Sequence, residues 1–201
     1  DGDINNESGS AIQIDGTFRI LSDLTNDGAG SLDLGAVNGT VELFGGNNQN
    51  IGGSSTTEFK NLTINKSANH VVLQNDIEVK NTLTLTSGIV ETGGNTLICS
   101  SELASDISGY SSSSFINGNL RKSITTNTDI YPLPVGQGNT TSDYYLTEFV
   151  NDNVAGVTAL NVSVASITEI GDNIDANLDP LKAVENGILL VNVLESGVLD
   201  L

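Results

Sequence analysis

Residues 59–97 read FKNLTINKSANHVVLQNDIEVKNTLTLTSGIVETGGNTL. Two segments within them, KNLTINK at 60–66 and NTLTLT at 81–86, alternate apolar side chains with polar ones. Period-two alternation is the pattern of a half-buried strand. Leu62 and Leu83 are 21 residues apart, as are Ile64 and Leu85. Working outward, GTVELF at 39–44 sets Val41 and Leu43 another 21 residues back, and GTFRIL at 16–21 sets Phe18 and Ile20 a further 23 back. A repeat of about 20–23 residues is one coil of a β-solenoid. Each strand then bonds to its counterpart one coil away, about 4.8 Å distant, and equivalent apolar residues stack inside the tube. Asn and Gly fill the separators, and both tolerate the positive φ that corners need.

A second ladder follows 14 or 15 residues later in each coil: Leu32 and Leu34, Ile77 and Val79, then Leu97. The second coil breaks the rule. GGNNQNIGGSST at 45–56 holds one apolar side chain, Ile51, and reads as a loop bulging from the tube. Residues 101–114 read as a Ser-rich connector, and FINGNLRKSI at 115–124 as a strand pair turning near Asn117-Gly118. Pro132 and Pro134 lack an N–H and interrupt a ladder, so an architectural boundary belongs there. Beyond it, YYLTEFV (144–150) and VTALNVSVASI (157–167) are longer alternating strands that suit an antiparallel sandwich. Asp179-Pro180 reads as the start of a short helix over 180–186 that Gly187 stops, and Val184 to Val193 returns to strand. The expected fold is all-β: a right-handed parallel β-solenoid over 1–135, then a β-sandwich-like region over 136–201. The alternative is a β-sandwich throughout.

Composition excludes several functions. The 201 residues carry 25 acidic and 7 basic side chains, a formal net charge of −18. Nucleic-acid binders displace phosphate counterions with Lys and Arg, and seven bases spread over this length make no such footprint. One Cys allows neither a disulfide framework nor a CxxC-type zinc site. No apolar run reaches the roughly 18 residues that would span a bilayer, so no direct membrane insertion is expected. Hydrophobic residues make up 37 %, below the usual 45–50 % or so, but the polar residues are mostly uncharged, unlike those of disordered chains. The acidic excess reads first as a solvated, self-repelling surface. The chain opens on Asp1 and closes on the apolar run GILLVNVLESGVLDL (187–201), which reads as a piece of something longer or a segment buried against a partner.

The run 59–97, then SGY…SSFINGNLRKSI (108–124) and YPLPVG (131–136), resembles a module common in large secreted surface proteins of Bacteroidetes. Those proteins include adhesin-like and gliding-associated polypeptides, often exported by the type IX route. The similarity covers about 59–149. It implies an extracellular or cell-surface protein built of β-rich modules, and it transfers no catalytic residue. The family's sorting domain is not visible in this sequence.

Catalytic chemistry finds few residues. His70, the single histidine, has no second His or Cys to share a transition metal with, and no GxSxG elbow offers it a nucleophile. Cys99 shares a strand face with Leu97 and reads as a buried, inert thiol. Solenoids host polysaccharide lyases and hydrolases, and a hydrolase needs two carboxyls a fixed distance apart. Glu58, Asp76, Glu78 and Glu91 are the carboxylates at hand, with no cross-coil ladder evident among them. A lyase needs Arg or Lys, and Arg19 and Arg121 lie far apart in sequence.

Calcium is the one cofactor the sequence offers. DGDINNESG at 1–9 sets Asp1, Asp3, Asn5 and Glu7 at alternate positions, like the start of a calcium loop, but position 6 is Asn and position 12 is Ile. GDNIDANLD at 171–179 offers Asp172, Asp175, Asn177 and Asp179, again an incomplete pattern. A glycan-binding module expects an exposed aromatic strip, for which Tyr110, Tyr144 and Tyr145 are the candidates. A fibre expects a strand edge that recruits another chain, and the apolar strand with Ile188, Leu190, Val191 and Val193 is the candidate for it. The first expectation is therefore a non-enzymatic extracellular structural or adhesive module whose partners are neighbouring modules or copies of itself. A carbohydrate-binding module that takes surface glycans and a polysaccharide-active β-helix enzyme are the alternatives.

Overall fold

The computed structural model describes residues 3–6, 14–28, 32–34, 39–125, 128–151, 158–165 and 188–194. The strands, in chain order, are β1 (Ile4–Asn6), β2 (Thr17–Ile20), β3 (Leu24–Asn26), β4 (Leu32–Leu34), β5 (Thr40–Gly45), β6 (Gln49–Gly52) and β7 (Thr57–Leu73). They continue with β8 (Ile77–Cys99), β9 (Ile107–Ser108), β10 (Ile116–Ser123), β11 (Asp129–Gly136), β12 (Tyr144–Asn151), β13 (Ala159–Ala165) and β14 (Ile188–Leu194). All fourteen belong to one hydrogen-bonded sheet. Two short 3-10 turns, Ala104–Asp106 and Thr141–Asp143, are the helical elements among the described residues.

The sheet is a parallel β-solenoid of about five coils. Its first face stacks β2, β5, the Asn61–Lys66 part of β7, the Thr82–Ser87 part of β8, and β9. The register matches the repeat in the sequence. Phe18 pairs with Val41, Val41 with Leu62, Leu62 with Leu83 and Leu83 with Ile107. Ile20, Leu43, Ile64 and Leu85 form the neighbouring interior column, and all four are buried. Alternation sends these residues inward and Arg19, Glu42, Thr63 and Thr84 outward.

The second face stacks β1, β3, β6, the His70–Leu73 part of β7, then Ile89–Glu91, Ile116–Asn117 and Val135–Gly136. Residues 45–56 are therefore not a bulging loop. Gln49–Gly52 is a rung bonded on both sides, and Gln49, although polar, is fully buried. The third face stacks Leu34, Phe59 and Val79 in one column and Leu32, Thr57 and Ile77 in another. The Ser100 amide bonds the Val79 carbonyl at 3.0 Å, which sets Leu97 and Cys99 over this face.

Three further expectations are corrected. The Asn117-Gly118 site is a coil corner within β10, not a hairpin turn. Ile116–Asn117 and Asn119–Lys122 both run parallel to β8, with a register shift between them, and Gly118 takes φ +121°. The connector 101–114 contains β9, the fifth rung of the first face. Pro132 and Pro134 do not end a strand either. Both lie in β11, and as alternate residues they place their missing donors on one edge of it.

From β11 onward antiparallel pairing enters the sheet. β11 pairs antiparallel with β12 over eight residue pairs, β10 with β13, and β13 with β14. The proposed helix over 180–186 lies outside the described residues.

Asx side chains clip the corners coil to coil. Asn6 donates to Asn26 at 2.9 Å, and Asn26 donates to the Thr56 carbonyl at 2.8 Å, both side chains being buried. Asn61 donates to the Gly39 carbonyl at 3.0 Å, while its oxygen accepts from Asn81 at 2.8 Å and from the Thr82 hydroxyl at 2.7 Å. Asn95 repeats the device on Leu73, and Asn119 repeats it on Asn95. Buried corner carbonyls need partners, and these amides supply them one coil away. Gly53, at φ +113°, passes so close to the Asn26 backbone that a Cβ there would collide with it.

Candidate functional site

Chemistry has few places to gather on this frame. No group of three His, Cys, Asp or Glu poised for a metal occurs among the described residues. The carboxylates act mainly as structural acceptors. Asp76 accepts the Thr96 amide at 2.7 Å, and Glu58 forms an ion pair with Lys80. Glu58 and Glu78 are register partners, with Asp33 beside Glu58 on the other side. Glu58 and Glu78 thus form a cross-coil pair, where the sequence made no such ladder evident. On the first face, Arg19 meets Glu42 at 2.9 Å and lies 4.0 Å over the Phe44 ring. The Glu42 carboxyl is held below the usual range, first by the hydrogen bond from Asn65 and then by Arg19.

Of the calcium candidates, Asp3 and Asn5 are among the described residues. Asp3 accepts the Asp23 amide at 3.2 Å, the same corner-clip role that Asp23 plays toward Asn50. Asn5 lies in β1 opposite Thr25. Asp1, Glu7, Asp172, Asp175, Asn177 and Asp179 lie outside the described residues.

Cys99 is buried and free, as its strand pattern implied. Burial pushes its thiol up to about 12, although Lys122 beside it pulls the other way. Lys122 is itself fully buried, donates to the Ser101 carbonyl and faces the Tyr131 ring at 5.8 Å. Burial also lowers the affinity of this amine for its proton. A thiol held protonated at neutral pH is no nucleophile. No known protein family, curated protein or solved structure is matched by this chain.

A polar side-chain cluster on the second face surrounds His70. Its Nε2 lies 3.7 Å from a Glu91 carboxylate oxygen, and that oxygen accepts from Asn139 at 2.7 Å. Asn117 donates to Asn139 at 2.9 Å and accepts the Gly138 amide at 3.1 Å. The cluster ties the loop between β11 and β12 to the coil beneath. That loop carries its own brace, in which Asp143 accepts from the Thr140 amide at 2.8 Å and from its hydroxyl at 2.6 Å. Those two bonds hold the Asp143 carboxyl below the usual range. Glu91 lies 21 positions from His70 and Asn139 a further 48 beyond, so the cluster leaves no local signal in the sequence.

The three candidate tyrosines do not form an exposed strip. Tyr110, Tyr144 and Tyr145 are all half-buried. Tyr144 stacks on Phe115 at 5.5 Å, and burial, then the neighbouring Tyr110, raises its hydroxyl above the usual value. Tyr145 and Tyr110 pack against the core. The candidate assembly residues lie in β14, where Ile188, Leu190, Val191 and Val193 pair with Ala165, Ser163, Val162 and Leu160 of β13. The other edge of β14 has no strand partner among the described residues.

The described surface has one marked apolar feature. Ile130 and Val150 are register partners on the β11–β12 ribbon, 52 % and 60 % exposed, and Leu146 on the same face of β12 is 44 % exposed. The opposite face of the ribbon is core, through Tyr131, Leu133 and Val135.

Proposed function

We propose that this chain is a non-enzymatic, extracellular structural module: a stiff, acidic, uncharged-polar-faced spacer of an adhesin-like surface protein of the Bacteroidetes type. The observation that carries the reading is the unbroken interior ladder from Phe18 to Ile107, clipped at its corners by Asx side chains. Such a frame extends by adding coils that contact only their neighbours, which suits length and stiffness more than a reaction. The charge of −18 supports a solvated surface that resists aggregation. In the same proposal the coil is right-handed and the antiparallel strands from β11 onward build a sandwich-like end unit over 136–201. Structural calcium at 1–7 or 172–179 is an accessory part of the same proposal.

Two measurements test it together. Antibody against the chain should label intact source cells, and the purified chain should release neither reducing nor unsaturated ends from neutral and anionic polysaccharides. Labelling only after permeabilisation, or turnover of any polysaccharide, overturns it. Glycan binding is the second reading, and it would use the half-exposed edges of Tyr110, Tyr144 and Tyr145. Retention on a glycan array that Tyr144→Ala abolishes would establish it.

A further inference from the structure

Asn117 and Gly118 form the corner of β10, and the fold uses both residues. Gly118 takes φ +121°, and a Cβ there would collide with the Thr92 hydroxyl. Asn117 is half-buried, and its carboxamide is engaged at both ends. The oxygen accepts the Gly138 amide at 3.1 Å, and the nitrogen donates to Asn139 at 2.9 Å. Side by side, the two residues also have a reactivity of their own. The backbone nitrogen after an asparagine closes a five-membered ring on the carboxamide carbon, and a glycine has no side chain to hinder the approach. The Gly138 amide donates to the carboxamide oxygen, where negative charge develops as that ring closes. The register of β10 on β8 shifts between Asn117 and Asn119, so Gly118 stands outside the regular pairing.

We propose that Asn117 is a modification site, deamidated in the folded protein by the Gly118 nitrogen, and that the carboxylate so formed loosens the corner beside Glu91. The bond from Gly118 N to Asn117 Cγ forms and the Cγ–Nδ2 bond breaks. Nδ2 leaves as ammonia, taking the Gly118 amide proton. Water then opens the cyclic imide at either carbonyl and gives aspartate or isoaspartate. The reaction uses water alone. Its product has no donor for Asn139. It also sets a second carboxylate beside Glu91, the register partner of Asn117 on the neighbouring rung, about 4.8 Å away. Like charges so placed repel. Glu91 itself accepts from Asn139 at 2.7 Å, so one event weakens both side-chain links to the loop between β11 and β12. The inference is independent of the spacer reading, since it concerns one corner and not the coils.

Ageing the chain in mildly alkaline buffer, folded and in urea side by side, reads the reaction. Digestion and mass spectrometry locate each conversion and map Asn38-Gly39 and Asn186-Gly187 separately. The folded sample should show Asn117 converted, as aspartate and isoaspartate peptides that elute apart. Asn117→Gln, whose longer side chain does not close the five-membered ring, should keep its amide. The inference is overturned if Asn117 stays an amide in the folded sample once the urea sample has converted there. It is equally overturned if Asn117→Gln converts as fast as wild type. Asn117→Asp tests the consequence. Its urea midpoint should fall below that of wild type at neutral pH, and most of the deficit should vanish in a Glu91→Gln background, where one carboxylate is gone. A midpoint equal to wild type, or the same deficit in both backgrounds, overturns the loosening.

Discussion

Inside the tube the Lys66 ammonium lies 3.1 Å from the carboxamide oxygen of Gln49, one coil below it. Gln49 in turn donates to the carbonyls of Ile20 and Ser22, at 3.1 and 2.6 Å, in the coil below that. Lys66 also donates to the Phe44 carbonyl at 3.1 Å. Three coils are thus joined by a polar column at one corner of an otherwise aliphatic interior. Burial lowers the proton affinity of Lys66, and Asp23 opposes the shift.

Replacing Gln49 by Leu should destabilise the fold by roughly 1–3 kcal/mol at neutral pH, because the buried ammonium loses one of its acceptors. The pH dependence separates this cause from simple misfit. The folded chain releases the Lys66 proton below the unfolded value of 10.5, so unfolding takes up a proton in that window. Stability from this group therefore rises with pH up to about 10.5 and is level above it. The loss in Gln49→Leu should shrink along the same course, because a neutral amine needs its acceptors less. Urea midpoints at pH 7 and pH 10 check this, and a loss of equal size at both would refute it.

Cys99 gives the opposite slope. Its thiol has a folded value of about 12 against an ordinary 9.0, so above pH 9 the unfolded chain loses a proton that the folded chain keeps. Stability is full below 9 and falls as pH rises through that window, by about 1.4 kcal/mol per pH unit. A Cys99→Ala variant lacks this slope and should gain on wild type from pH 9 upward. At neutral pH the native thiol should resist iodoacetamide and react only as fast as the chain unfolds. Rapid alkylation without unfolding would contradict the burial.

The two interior columns from Phe18 and Ile20 were legible because aliphatic residues carry them at constant spacing. The second face was not, and Gln49 shows why. An interior rung is recognised by its apolar side chain, but this rung puts an amide inward and satisfies it with Lys66, Ile20 and Ser22, all remote in sequence. Asn117-Gly118 misled for a related reason. The dipeptide favours a hairpin when nothing else competes. Here Thr92 caps the Asn119 amide at 2.8 Å and holds the chain in a corner that continues the coil. The His70 cluster was illegible because its members come from four separate segments. Chemistry was legible only as a shortage, since single His and Cys residues restrict any constellation.

The register fixes which side of a strand matters. Leu62 is 1 % exposed between Val41 and Leu83, whereas its neighbour Thr63 points outward. Leu62→Ala should cost roughly 2–5 kcal/mol through lost burial and the cavity between two rungs. Thr63→Ala should change stability by less than about 0.5 kcal/mol. Denaturant midpoints of the two variants give the comparison directly. Similar losses at both positions would mean that the interior column is misplaced by one residue.

The loop between β11 and β12 should open without the coils. Its attachment runs through side chains: Asn117 accepts the Gly138 amide and donates to Asn139, and Asn139 donates to Glu91. The Leu120 side chain, three residues beyond Asn117, is by contrast fully buried, and β10 is paired to β8 on one side and to β13 on the other. Local openings draw on elements with few buried contacts, and global stability rests on the ladders. Asn117→Ala should therefore speed hydrogen exchange at the Gly138 amide by at least about tenfold, the factor that roughly 1.4 kcal/mol of lost hydrogen bonding implies. Exchange in β8 and β10 should stay within about twofold, because their backbone partners are untouched. A uniform acceleration through β8, β10 and the loop would instead make this corner part of the global folding unit, and the loop could not then move apart from the coil beneath it.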